Sequence, residues 1–345
     1  MNSIIIFATA ILLALIATPL AKKISNKFDI LDKPGYRKLH SSPIPLLGGL
    51  AIFIPFLICS VVFLYFYESN FWVILFGFLF VCFGLIDDKG IKVRARIKIW
   101  SHLLFSAFFV ITTGIEFALF SSQLVNLILT ACFITFMTNS FNMLDGMDGL
   151  LGGICAIASF FFLILAYKSG QTDLIVLSLI VMGSCLGFLK YNFNPASIFL
   201  GEAGSTFLGY IMAVMALKLN VLSLWGVALA LHIDRIQYIS FLIPLIVLGI
   251  PIFDTFFVFL NRYFNRVKLS KPGKDHSHHR IHLWGLSQKN TVMTLYAVQF
   301  VLGAIAVIMV NATTLQFFAL LAIVATIALF SWFFLRSVEV YDSVI

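Results

Sequence analysis

The chain has 345 residues, of which 61% are hydrophobic, 15% aromatic and only 11% charged, with a mean hydropathy of +1.03. Soluble domains carry about 25% charged residues, so this composition excludes a water-soluble globule. It predicts an all-α, polytopic integral membrane protein, because the apolar runs are continuous and do not alternate as in a barrel strand. The five cysteines (Cys59, Cys82, Cys132, Cys155 and Cys185) lie inside apolar runs without metal-type spacing. They read as buried thiols and exclude a secreted disulfide scaffold.

A bilayer-crossing helix needs about 20 apolar residues. On that measure eleven spans are predicted, near 3–20, 46–66, 71–86, 99–114, 120–138, 151–167, 173–189, 204–218, 236–261, 291–310 and 313–335. The first carries its cations, Lys22 and Lys23, after the apolar run, which reads as a membrane anchor and not a cleaved signal. Residues 219–235 contain an apolar stretch too short to cross. They are expected to lie at the outer interface with Trp225 at headgroup level.

Lysine and arginine set the expected orientation. Loops 21–45, 87–98, 139–150, 190–203 and 262–290, with the C-terminal Arg336, fall on one side of that span list and hold 20 of the 23 cations. That side is expected to be cytoplasmic, with the N-terminus outside and the C-terminus inside. No repeat or soluble domain interrupts residues 1–345, so a single membrane domain is expected. The net charge of +8 therefore sits on one face, suited to anionic lipid or an anionic soluble substrate. Nucleic acid is a poor partner, since no basic soluble domain presents a groove.

Acidic residues number only 15, and several gather at the expected cytoplasmic span ends. Asp87 and Asp88 end the third span. Asp145 and Asp148 follow the fifth, in Asn139-Ser140-Phe141-Asn142-Met143-Leu144-Asp145-Gly146-Met147-Asp148-Gly149. Glu202 opens the eighth in Phe199-Leu200-Gly201-Glu202-Ala203-Gly204-Ser205, and Asp254 lies within the ninth. Ionisable groups at such depths usually face a polar cavity. Adjacent carboxylates repel unless a cation intervenes, and Mg²⁺ is commonly held by one or two carboxylates plus substrate phosphates. Read singly, each element is also compatible with a solvated helix end or a plain turn. Asp254 is equally compatible with a satisfied internal polar group.

Four of the seven histidines fall in Asp275-His276-Ser277-His278-His279-Arg280-Ile281-His282. A zinc site lacks its soft ligands here. A flexible, anion-binding loop is the better expectation, with the imidazoles, Lys271, Lys274 and Arg280 as donors. The segment Lys33-Pro34, Arg37-Lys38-Leu39-His40 and Pro43 to Gly49 reads as a rigid lead-in to the second span.

Taken in order, these segments resemble the polyprenyl-phosphate N-acetylhexosamine-1-phosphate transferase family, glycosyltransferase family 4. The resemblance runs from about Lys33 to Asn290. Its carriers are Arg37-Lys38-x-His40, Asp87-Asp88, Asn139-x-x-Asn142-x-x-Asp145-Gly146-x-Asp148-Gly149, Asn194-Pro195-Ala196 with Phe199-x-Gly201-Glu202-x-Gly204-Ser205, Pro251-x-x-Asp254-Thr255 and His276-x-His278-His279-Arg280. It implies attack of undecaprenyl phosphate on the β-phosphate of a UDP-N-acetylamino sugar, with UMP released and Mg²⁺ required, at the cytoplasmic face of a bacterial inner (plasma) membrane. By the same resemblance Asp87, beside Asp88, would orient or deprotonate the lipid phosphate, and Asn142 and Glu202 would hold the metal. Asp145 and Asp148 would organise the nucleotide-sugar pocket, and Phe199 would stack on uracil. His276, His278, His279 and Arg280 would contact diphosphate and sugar. Dimers are common in the family, which adds a homodimer to the partners the resemblance allows.

One position departs from the family, which usually has Asp where this chain has Glu202. The Arg-Lys-x-His and His-x-His-His-Arg forms, with eleven spans, look like the O-antigen and teichoic-acid starters and favour UDP-GlcNAc. The phospho-N-acetylmuramoyl-pentapeptide transferases typically carry a different histidine loop. Three other readings compete. A lipid transporter would place polar groups near the midplane or on both faces. A CDP-alcohol phosphatidyl transferase would need a D-G-x-x-A-R-type pattern that is missing from the sequence. An inactive scaffold would have Glu202 as its sign.

Overall fold

The computed structural model describes residues 2–34, 42–64, 68–91, 93–268, 273–338 and 340. The Arg37-Lys38-x-His40 segment, Lys92 and Lys271 lie outside the described residues. The regular structure of the described residues is helical apart from one two-residue antiparallel pair, β1 (Leu31–Asp32) with β2 (Ile44–Pro45).

The helices are α1 (Ser3–Lys27), α2 (Gly48–Phe63), α3 (Glu68–Asp88), α4 (Ala95–Thr113), α5 (Gln123–Leu144), α6 (Leu150–Lys168), α7 (Thr172–Asn192) and α8 (Gly201–Lys218). They continue with α9 (Trp225–Ala230), α10 (Gln237–Ser240), α11 (Leu242–Val247), α12 (Gly249–Phe264), α13 (Ser277–Leu283), α14 (Gln288–Met309) and α15 (Thr314–Arg336). Eight of them are long and apolar enough to cross a membrane: α1, α3 to α7, α14 and α15. Two further spans arise if each bent pair is one: α8 with residues 222–230 at 48°, and residues 237–247 with α12 at 85°. The chain is thus a multi-pass membrane protein. Its sixteen-residue α2 is apolar but short, with Pro55 inside it. Residues 219–235 make no span of their own, and α9 leaves Trp225 exposed.

The middle of the chain forms the interior. In α6 and α7, 72% of the membrane window is buried, against 6% in α15. Every residue of α8 from Ala203 to Ala216 is buried. It packs against α3 and α5, while α7 packs against α6 and α1. Two glycines set the approach of the helices that carry acidic ends. A methyl group at Gly84 of α3 would run into the main chain of Ala203, and one at Gly209 of α8 would meet the main chain of Met137 and Thr138 in α5 at 2.6–2.7 Å. Small residues let helices approach closely where lipid offers no hydrophobic drive. Here they bring the C-terminal ends of α3 and α5 to the N-terminal end of α8.

Candidate active site

The end of α3 supplies Asp87 and Asp88, and α8 begins where they end. Asp88 accepts the main-chain N–H of Glu202 at 2.8 Å and of Ala203 at 3.0 Å. The first N–H groups of a helix lack intrahelical partners and favour an anion, so Asp88 serves α8 as a cap supplied from another helix. Asp87 points elsewhere. It accepts the amide of Val93 at 3.0 Å and pairs with Lys98 Nζ at 3.1 Å. Lys98 also donates to Glu202 Oε2. A single ammonium at the start of α4 therefore bridges two carboxylates from α3 and α8, which relieves their mutual repulsion.

The donor set fits a hard cation. Glu202 Oε1 is buried without a hydrogen-bond partner, the condition of a carboxylate oxygen with room for a metal. Ser205 Oγ donates to Asn142 Oδ1 at 2.8 Å and lies 3.3 Å from the carbonyl of Glu202, tying the end of α5 to the first turn of α8. Among the described residues no three His, Cys, Asp or Glu side chains come together as a metal cage. Two oxygen ligands completed by substrate phosphates would be the arrangement, as Mg²⁺ usually takes.

The turn after α5 holds Asp145 and Asp148. The half-buried carboxyl of Asp145 is pushed up to about 7, first by burial and then by the charges of Asp88 and Asp148. Asp148 Oδ2 accepts from Asn194 Nδ2 at 3.0 Å and from the amide of Ala196 at 2.9 Å, and Asn194 also donates to Gln288 of α14. Asn192 accepts the amide of Gly149, and Tyr296 donates to its carbonyl. Gly149 needs its φ of +77°, which a side chain would strain. Phe199 is half-buried, and its main chain bonds Pro45 and Gly48, fixing the 190–203 loop to the start of α2.

The histidine segment differs from the flexible loop expected. Residues 277–283 form α13, and His276, His278 and Arg280 are buried. Asp254 of α12 is a satisfied internal group: it takes His276 Nδ1 at 2.7 Å and the amide of Ser277 at 2.7 Å. Burial works against charge on His276, but the Asp254 carboxylate outweighs it and holds the imidazole above its ordinary range. His278 goes the other way, depressed by burial and by His279, and burial brings His279 to about 4. Both ring nitrogens of His278 are without partners. Its imidazole lies where a methyl group on Gly146 would be, so α13 abuts the Asp145–Gly149 turn. Arg280 donates from Nε to the carbonyl of Asp275 and from Nη1 to those of Leu335 and Val338.

Of the residues named from sequence, Asp87, Asp88, Asn142 and Glu202 thus gather around the start of α8, and Asp145, Asp148 and His278 at the turn, whereas the partner shown for His276 is Asp254, and Arg280 is held by the end of α15. Lys98 entered the sequence reading only as one of the loop cations. Nothing in its immediate sequence sets it apart from the other cations of that loop. Buried His102, one turn on in α4, lies 3.3 Å from Asn139, which opens the Asn139 to Gly149 motif.

Residues 70–220 match the model of glycosyl transferase family 4. A probable undecaprenyl-phosphate N-acetylglucosaminyl 1-phosphate transferase of Bacillus subtilis is 34% identical over 320 residues, 90% of this chain and 86% of that protein. The chain belongs to the polyprenyl-phosphate N-acetylhexosamine-1-phosphate transferase family. More distant members include the decaprenyl-phosphate N-acetylglucosaminephosphotransferase of Mycobacterium leprae, 27% identical over 84% of the chain and 79% of its own length. The undecaprenyl-phosphate alpha-N-acetylglucosaminyl 1-phosphate transferase of Escherichia coli K12 is 25% identical over 84% and 78%. All the carboxylates above that end α3 or open α8 lie inside the matched region, whereas α13 lies beyond it.

Proposed function

We propose that this membrane transferase moves an N-acetylhexosamine-1-phosphate from a UDP-sugar, UDP-GlcNAc by preference, to undecaprenyl phosphate. The products are UMP and undecaprenyl-diphospho-sugar, the first lipid intermediate of a cell-surface glycan. The relatives' names supply the acceptor and the GlcNAc unit. The observation that carries the reading is the convergence of Asp87, Asp88, Lys98 and Glu202 at one end of three apolar helices. An anionic lipid headgroup and an anionic nucleotide can meet there beside a basic face. The charge asymmetry supports eleven crossings in a bacterial inner membrane, the short α2 and both bent pairs included, with the N-terminus outside and the site facing the cytoplasm.

In this mechanism Asn142 and Glu202 would hold Mg²⁺, which when bound neutralises the diphosphate and favours the departure of UMP. Lys98 would meet the negative charge arriving with the two substrates. Asp87 would orient the lipid phosphate. A strong base is unnecessary, because a phosphate with a second pKa of about 6 is largely ionised at neutral pH. Asp88 holds the helix start that presents Glu202. Positioning and charge neutralisation are then the main catalytic contributions, as in other phosphoryl transfers.

The test is UMP release by the purified protein with Mg²⁺, undecaprenyl phosphate and UDP-GlcNAc, with Asp87→Asn alongside. Lipid-dependent UMP from the wild type alone supports reaction and donor together. UMP only with another UDP-N-acetyl sugar corrects the donor. Silence across a panel of donors overturns the transfer reading.

A further inference from the structure

α13 is seven residues long, under two turns, and such a helix is not stable by itself in water. Its flank is also poorly packed. Ser277, Ile281 and Trp284 line an apolar cavity of about 430 Å³ that α11, α12, α14 and α15 also wall. The position of α13 therefore depends on its anchors. At its start Asp254 holds His276 and Ser277, and Arg262 holds the preceding Asp275 through two 2.7 Å bonds. Further along, the anchor is Arg280.

Arg280 is 2% exposed, and its guanidinium lies 5.3 Å from the ring centre of Phe257. Nε reaches the carbonyl of Asp275 at 3.1 Å. Nη1 reaches those of Leu335 at 3.0 Å and Val338 at 2.5 Å. The last carbonyls of a helix have no intrahelical partner and carry its negative dipole end. Arg280 caps α15 in this way, and Trp284 meets Phe334 edge-on at 5.2 Å beside it.

We propose that Arg280 is a positioning residue: it fastens α13 to the C-terminal end of α15 and so keeps His278 in place against the Asp145–Gly149 turn. The inference rests on the proposed transfer reaction, with His278 at the nucleotide sugar as the family resemblance implies. Lysine would keep the charge but lose the fork that serves several carbonyls at once.

The experiment uses the full chain in nanodiscs, with Arg280→Met, Arg280→Lys and Phe257→Leu. It reads kcat, KM for UDP-GlcNAc, KM for undecaprenyl phosphate, and amide exchange over residues 276–283. Arg280→Met is expected to raise the nucleotide-sugar KM about tenfold with the lipid KM unchanged, and to speed exchange in α13. Arg280→Lys should recover part of both effects, and it carries the test if the Met variant does not fold. Losses in the Arg280→Met/Phe257→Leu double variant should fall short of the product of the single losses, since both act through one contact. Lost activity with unchanged exchange would assign Arg280 to direct substrate contact and overturn the proposal, as would wild-type kinetics or fully multiplicative losses. A wild type that releases no UMP condemns the transfer reading instead, and the exchange data then decide the anchor alone.

Discussion

Asp88 Oδ1 accepts the main-chain N–H of Glu202 at 2.8 Å, so the last residue of one apolar helix sets the first turn of another 114 positions later. The second oxygen takes the amide of Ala203. An asparagine has one acceptor oxygen where the carboxylate has two, and its NH₂ would face an amide donor. Asp88→Asn should lower kcat by about 10²-fold or more through displacement of Glu202. It should also cost about 1–3 kcal/mol of stability. UMP release and thermal unfolding in the same detergent would check both, and unchanged values in both would refute the cap.

Lys98 between Asp87 and Glu202 makes a second prediction. Lys98→Met leaves two carboxylates facing each other without their shared cation, and removing one member of this partly buried charge cluster is expected to lower stability. The double variant Lys98→Met/Glu202→Gln removes a charge of each sign. It should regain much of the lost thermal stability while staying inactive. A double variant no more stable than Lys98→Met would show that the pair contributes little.

Gly146 stands against His278. Gly146→Ala places a methyl group within the imidazole's volume and should reduce activity about tenfold or more by pushing α13 away. His278→Ala opens that space, so the double variant should be no worse than His278→Ala alone. Independent, multiplicative losses would mean that the contact is not shared.

His276 gives a pH dependence with a definite sign. Its folded pKa lies above the ordinary histidine value near 6.5, where Asp254 outweighs burial. The stability from the His276–Asp254 pair is therefore fully present below about pH 6.5 and is lost as pH rises through the higher folded value. Melting temperatures from pH 6 to 9 should fall for the wild type more steeply than for His276→Gln. Parallel curves would place the titration elsewhere.

Much of the fold could be read from composition alone, because apolar length and loop cations are coarse, additive signals. Positions such as Asp87, Asp88 and Glu202 were readable because charge is rare in this chain and its location is costly. What the sequence hid were the pairings. Nothing local to Asp88 indicates that its partners are main-chain amides of residues 202 and 203, and Lys98 looked like any other loop cation. The histidine segment misled for a related reason. His276 to His282 has the polarity of a solvated loop, and its burial depends on Asp254, Arg262 and the carbonyls of Leu335 and Val338, which lie 13 or more residues away. The break between α11 and α12 was similarly invisible within a continuous apolar run, although Pro244 and Pro251 flank it.

α15 has only 6% of its membrane window buried, although Leu320, Val324, Ile327 and Trp332 rest half-buried on the core, so one of its faces is left to the surrounding lipid. Helices answer a thinner or thicker hydrocarbon layer by changing tilt. Because the C-terminal end of α15 is bolted to α13, a change of tilt would shift α13 against the Asp145–Gly149 turn. Activity in bilayers of different acyl-chain length is then expected to differ, and equal rates across chain lengths would show that α15 transmits no such change.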